Sequence, residues 1–195
     1  MTILFKIADA LSYILHPAII MLLTLALISN SLHHNPAQVM LDIIILGIGL
    51  FPGLLYIYLK TKRGDFGHYH LLLKQERRIA LPLLVAGMIV SLTLYTFIRT
   101  SSTLFNDILI AIAGGIGVTI ISRYWKISLH ASVSMGAAAL LMPISLLLST
   151  VMIMLSIIAG VSRLIVKQHT VTQVIIGWIY GYGVTSVLLH LMMPG

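Results

Sequence analysis

The chain contains no cysteine and very few charged residues. Without cysteine, it can form no disulfide bond, no thiolate metal site and no cysteine nucleophile. Only 9% of its 195 residues are charged, whereas a soluble domain carries roughly 25%. Because 59% of the residues are hydrophobic, the composition excludes an ordinary soluble domain. It predicts an all-α, polytopic bundle of membrane helices.

Carboxylates are also scarce. The chain has five, none close to another in the sequence: Asp9, Asp42, Asp65, Glu76 and Asp107. Sites for Mg²⁺ or Ca²⁺ are built from clustered oxygen ligands. We therefore expect neither a metal ion nor another cofactor.

The net charge of +7 is large for so apolar a chain. It has two explanations, which composition alone leaves open. The cations can bind an anionic partner, either lipid headgroups or a substrate. Alternatively, they only keep their loops on the cytoplasmic side of the membrane. We expect no nucleic-acid partner. The sequence is compatible with a monomer and with a homo-oligomer.

Apolar segments divide the chain into candidate membrane helices, each of which needs about 20 residues. The fifth segment, Leu129–Met142, and the sixth, Thr150–Val166, follow one another closely. Together they are too long to be one crossing of the membrane. We therefore predict a hairpin with its turn at Pro143–Ser149. One domain, residues 1–195, is expected to cross the membrane six or seven times, with six crossings if the first segment lies at the interface. The predicted helices are Ile7–Ser29, Val39–Tyr58, Ile79–Ile98, Leu104–Ile121, Leu129–Met142, Thr150–Val166 and Thr170–Met192.

Alternating these segments across the membrane sorts the basic residues by side. Of the 12 Lys and Arg residues, 11 fall on the side of the Lys60–Arg78 loop, and only Arg99 falls on the other. Cytoplasmic loops of membrane proteins carry such an excess. The protein is thus predicted to lie in the cell membrane with this face in the cytoplasm.

The same alternation brings three polar segments to this face, at residues 74–82, 126–130 and 162–173. Each lies at or just before the start of an outgoing helix, and helix N-termini bind anions through free N–H groups and the helix dipole. The segments carry two histidines, His130 and His169. The three segments also carry Lys and Arg residues, whose positive charge would repel a metal ion. This argues against zinc or haem ligation by the two histidines. The cations are Lys74, Arg77, Arg78, Lys126 and Arg163.

Two histidines in an anion site suggest phosphoryl transfer without a metal. One imidazole can attack phosphorus and the other can protonate the leaving oxygen, while the cations offset the charge on the phosphoryl oxygens. In a helix, His169 and Gln173 would be i and i+4 and share a face. Gln173 can then orient the His169 ring through a hydrogen bond.

The last segment, Ser162-Arg163-x₅-His169-x₃-Gln173, resembles the third signature of the type 2 phosphatidic acid phosphatase superfamily, S-R-x₅-H-x₃-D. The order of segments is also similar over about residues 74–192, with a basic segment first and a Ser-x-His segment second. The chain departs from the family at Gln173, which replaces Asp. It also reads Ile-Ser-Leu-His instead of P-S-G-H at residues 127–130, and its first segment lacks the K-x₆-R-P spacing.

This resemblance implies a metal-independent phosphatase that acts through a phosphohistidine. His169 would be the nucleophile, His130 the acid and base, and Gln173 the residue that orients His169. The implied substrate is a lipid or isoprenoid phosphate, such as a prenyl diphosphate, phosphatidic acid or phosphatidylglycerophosphate. The implied phosphate ligands are Arg163, Lys126 and Ser128, with Lys74, Arg77 and Arg78 standing for the first segment.

Two other functions remain open. A non-catalytic binder or transporter of anionic lipids would keep the phosphate pocket, and a redox protein would hold haem between His130 and His169. The remaining histidines do not belong to a recognisable motif and are interpreted as packing or interface residues. They are His16, His33, His34, His68, His70 and His190.

Overall fold

A computed structural model describes residues 3–66, 74–98 and 101–192 of the chain. The predicted all-α fold is confirmed, since these residues form eight helices. Arg99, which was predicted to lie on the outer side, and the histidines at 68 and 70 lie outside the described residues. The helices are α1 (Ile3–Ile14), α2 (Pro17–His33), α3 (Pro36–Lys62), α4 (Lys74–Ile98), α5 (Ser102–Tyr124), α6 (Leu129–Leu141), α7 (Leu146–Ile165) and α8 (Val171–Met192).

Five of the described helices are long and apolar enough to cross a membrane: α3, α4, α5, α7 and α8. The pair α1 and α2, bent by 47° at its break, makes a sixth span if it is counted as one. Helix α6 has 13 residues and is therefore about 20 Å long, less than the ~30 Å of a bilayer core. All seven predicted segments are helical, and the chain is a polytopic helical membrane protein.

The helix boundaries differ from the predicted ones where polar residues join a helix. Helix α4 begins at Lys74 rather than at Ile79, so the predicted cationic segment forms its first turns. Helix α7 begins earlier than Thr150, because the side chain of Ser145 accepts a hydrogen bond from the Leu148 N–H and caps it.

The chain divides into two compact units. Unit 1 combines Met1–Thr24 with Ile127–Gly195, and unit 2 is Leu25–Lys126. The region that resembles the phosphatases, about 74–192, is thus divided between the units at Lys126. Within unit 2, α3 and α4 approach closely at Gly49 and Gly87.

Unit 1 is built around α6, which packs in parallel with α8. A Cβ atom on Gly177 would lie 3.0 Å from the Ser128 carbonyl oxygen, and one on Gly181 would collide with the Ser132 carbonyl and lie 3.0 Å from the Gly136 nitrogen. Residues later in α8 therefore contact residues later in α6, as expected for parallel helices. Gly177 and Gly181 therefore let α8 pack closely against α6.

Helices α6 and α7 form the predicted hairpin, and they run antiparallel. Ser134 Oγ donates to Ser156 Oγ at 2.7 Å, and Ser149 Oγ donates to the Ala138 carbonyl oxygen at 2.8 Å. Since α8 is parallel to α6, the N-termini of both helices lie at the same end of unit 1 as the C-terminus of α7. The fold thereby brings residues 127–130 of the second polar segment and the third polar segment to the same end of unit 1.

Candidate active site

Helix α7 ends in a Schellman motif that reverses the chain directly after Arg163. The Gln168 N–H donates to the Arg163 carbonyl oxygen and the Lys167 N–H to that of Leu164, both at 3.0 Å. Lys167 has φ 55°, the left-handed conformation that this motif requires. The His169 N–H also points to the Arg163 carbonyl oxygen, at 3.4 Å. The backbone therefore fixes His169 relative to Arg163.

Helix α8 begins with a capping box at Thr170 and Gln173. The Gln173 N–H donates to Thr170 Oγ1 at 3.3 Å, and the Thr170 N–H donates to Gln173 Oε1 at 3.2 Å. This reciprocal pair satisfies two N–H groups that the start of a helix leaves without intrahelical partners. It also fixes the Gln173 side chain against the backbone.

Gln173 in turn orients the His169 ring, as predicted. Gln173 Oε1 accepts the Thr170 N–H, so this atom is the amide oxygen, and it lies 2.9 Å from His169 Nδ1. Nδ1 must then carry the proton and donate it, which leaves the lone pair of the neutral ring on Nε2. The contact was predicted from i, i+4 spacing within a helix. His169 instead precedes α8, so the contact depends on the capping box.

Arg163 and His169 are both buried, at 0% and 9% exposure. A buried guanidinium is costly unless charge or hydrogen bonds compensate for its lost hydration. Arg163 also lies close enough to His16 for a coulombic interaction. The turn at the end of α7 thus carries both a buried guanidinium and an oriented imidazole, two groups suited to binding an anion.

The start of α6 is joined directly to the start of α8. The Ser128 N–H donates to the Gln173 carbonyl oxygen at 3.2 Å, and Ser128 Oγ caps α6 by accepting the Ala131 N–H at 3.4 Å. Of the predicted site residues, Ser128, His130, Arg163, His169 and Gln173 therefore belong to unit 1 and to the same end of it.

His130 is buried and held by the N-terminal helix. Its Nε2 lies 3.1 Å from the carbonyl oxygen of Ser12, and its ring packs edge-on against that of His16, with 5.9 Å between centroids. A carbonyl oxygen only accepts, so His130 Nε2 carries a proton and, in the neutral ring, Nδ1 holds the lone pair. This tautomer does not leave Nε2 available to an iron atom, which disfavours the haem alternative.

Sequence reasoning did not connect Ser12 or His16 with the site, although His16 packs against the His130 ring, in keeping with its interpretation as a packing residue. Both lie at the end of α1 or in the break that follows it. The signal was His16-Pro17 inside an apolar segment, because proline interrupts a helix and exposes polar backbone atoms there.

The other predicted phosphate ligands belong to unit 2. Arg77 is buried beside the buried Glu76 in the first turns of α4, Arg78 is exposed, and Lys126 is the last residue of the unit. The side chain of Lys74 lies outside the described residues. A role for these four cations in phosphate binding stays a prediction.

Among the described residues, no three His, Asp or Glu side chains form a group that could hold a metal ion. Comparisons with known proteins gave no match to any family model, curated protein or solved structure.

Substitutions at Gln173 separate its two contacts from its charge. Gln173→Ala removes both hydrogen bonds and, for the phosphatase that the resemblance implies, should lower phosphate release by about 10- to 100-fold, as loss of an orienting partner does at other sites. Gln173→Glu keeps the length and both contacts, and its charge suits the helix N-terminus and an imidazolium. It should retain or exceed the wild-type rate in steady-state assays. Wild-type activity in Gln173→Ala would contradict this role.

Proposed function

We propose that the protein is a metal-independent lipid phosphatase that forms a phosphohistidine at His169. The observation that carries the proposal is the hydrogen bond from His169 Nδ1 to the capping-box oxygen of Gln173. This bond leaves the basic lone pair on Nε2 as the reactive nitrogen, and the Schellman turn fixes the backbone of His169 to that of Arg163, whose guanidinium is buried. An oriented base beside a fixed guanidinium is what in-line attack on a phosphate needs.

In the first step His169 Nε2 attacks phosphorus. A P–N bond forms while the P–O bond to the lipid breaks, and the leaving oxygen takes a proton from His130. His130 enters this step as the imidazolium, with a proton on each ring nitrogen. Because its Nε2–H is held by the Ser12 carbonyl oxygen, Nδ1 is the nitrogen that gives up its proton and then holds the lone pair. Arg163 offsets the charge on the phosphoryl oxygens.

In the second step water replaces His169 on phosphorus. His130 Nδ1 takes a proton from the water, the water oxygen bonds to phosphorus, and the P–N bond breaks. Inorganic phosphate leaves and His169 regains its lone pair. Gln173 fixes the ring in both steps but, as a neutral amide, it does not stabilise the imidazolium by charge.

The substrate class follows from the surroundings of this site. A polar, cationic end of a helix bundle suits a phosphate, while exposed apolar side chains on the first turns of α8, among them Val171 and Ile175, lie open to a lipid tail. A prenyl diphosphate, phosphatidic acid or phosphatidylglycerophosphate carries both parts. The proposed location is the cell membrane, with the site on the cytoplasmic face.

Single cysteines test this sidedness, because the chain has none of its own. Arg63→Cys and Ala37→Cys place exposed thiols at opposite ends of α3. A membrane-impermeant maleimide should label the Ala37 variant in intact cells and the Arg63 variant only after permeabilisation. The reverse pattern would place the site outside the cell.

The activity is tested with the purified protein and a panel of lipid and prenyl phosphates in mixed micelles. Phosphate release is measured with and without EDTA, and equal rates are expected. Loss of activity in EDTA would refute the metal-independent mechanism. Saturable binding of these lipids without any phosphate release would instead support the alternative, a non-catalytic binder or transporter of anionic lipids.

A further inference from the structure

The break between α1 and α2 redirects one backbone carbonyl toward His130. In a continuous helix, the N–H of residue 17 would bond to the Tyr13 carbonyl oxygen, and that of His16 to the Ser12 carbonyl oxygen. Pro17 has no N–H. The His16 N–H instead donates to the Tyr13 carbonyl oxygen at 3.2 Å, and the Ser12 carbonyl oxygen accepts from His130 Nε2 at 3.1 Å.

The same break is stabilised on both sides, so the acceptor is held in place. His16 Nδ1 accepts the Ala18 N–H at 3.3 Å and thereby caps α2. Ser12 Oγ contacts Ser162 Oγ at 3.1 Å, which ties α1 to the helix that carries Arg163. The Ser12 side chain is fully buried.

We propose that Pro17 is a positioning residue for His130: it frees the Ser12 carbonyl oxygen from the helix, and this oxygen holds a His130 proton on Nε2, so that proton transfer by His130 goes through Nδ1. A histidine whose one nitrogen is fixed by a backbone carbonyl has a defined tautomer at the other. The effect on turnover rests on the proposed phosphatase function, whereas the tautomer itself does not.

Pro17→Ala tests the inference, because it restores the missing N–H and lets His16 N–H compete for the Ser12 carbonyl oxygen. Pro52→Ala is the matched control, since Pro52 is an exposed proline inside α3. Equal melting temperatures and equal elution volumes of the wild type and both variants would show that folding is retained.

The first readout is the dependence on the leaving group. A lipid alkoxide needs a proton to leave, and p-nitrophenolate needs it far less. Pro17→Ala should lower kcat for a lipid phosphate by roughly 10- to 100-fold, within the range that general acid catalysis contributes, with a much smaller loss for p-nitrophenyl phosphate. Equal losses for both substrates would overturn the inference, and Pro52→Ala should change neither rate.

The second readout needs no activity. Nitrogen-15 chemical shifts of the His130 ring, assigned by their loss in His130→Gln, should report the Nε2–H tautomer in the wild type and a shift toward Nδ1–H in Pro17→Ala. Identical spectra, or Nδ1–H in the wild type, would overturn the inference. If the wild type releases no phosphate from any substrate, the proposed function fails while these spectra still decide the role of Pro17.

Discussion

Replacing His169 by alanine should abolish phosphate release from every lipid phosphate that the wild type accepts. The expected loss is at least about 10⁴-fold in kcat, because the P–N bond has no other atom on which to form and nucleophile deletions cost this much or more. Substrate binding should change far less, since Arg163 and the backbone turn that precedes His169 are unchanged.

His190→Ala is the matched control, because His190 is an exposed histidine in the last turn of the same helix, α8. It should leave the rate unchanged.

Acid quenching during turnover of phosphorus-32-labelled substrate would destroy a phosphohistidine, whereas alkaline quenching would preserve it in the wild type. A phosphatase rate that survives in His169→Ala would refute the proposed nucleophile.

Replacing Arg163 by lysine should lower kcat/KM for a lipid phosphate by roughly 10²- to 10³-fold. Lysine keeps the charge but lacks the planar fork that holds two phosphoryl oxygens at once, and guanidinium groups at such positions contribute about 10³- to 10⁵-fold. Part of the loss should appear in kcat, because the charge on these oxygens is largest in the transition state.

Arg123→Lys serves as the control for this substitution, since Arg123 is an exposed arginine in the last turn of α5. It should behave as wild type. If Arg163→Lys retained full activity, the buried guanidinium would have only a structural role. If the wild type released no phosphate and Arg163→Lys weakened lipid binding, the result would favour the alternative of a non-catalytic binder.

The apolar segments were sufficient to predict the helical fold, because a bilayer requires long runs of apolar residues and satisfied backbone polar groups. They misplaced helix ends at Lys74 and Leu146, where capping and polar side chains extend a helix beyond its apolar part. They also merged α1 with α2, since Pro17 within an apolar run indicates a bend but not whether the helix breaks.

The site was predictable to the extent that its residues lie close in sequence. Ser162 to Gln173 carries its own spacing, so Arg163, His169 and Gln173 could be recognised together, although the capping box that orients His169 was mistaken for helix spacing. The cations at Lys74, Arg77, Arg78 and Lys126 depend on packing between distant segments, and their role in phosphate binding remains a prediction.

The sequence by itself determined the membrane helices and the local turn that joins Arg163 to His169, because hydrophobicity and short-range hydrogen bonding are written in neighbouring residues. Only the tertiary structure decided what holds His130. The parallel packing of α6 on α8 and the contact of α1 with α7 bring the Ser12 carbonyl oxygen and His16 to that ring. Such a contact between residues 118 positions apart has no local signal, since a backbone carbonyl is present at every residue and only the fold selects which one is left to accept.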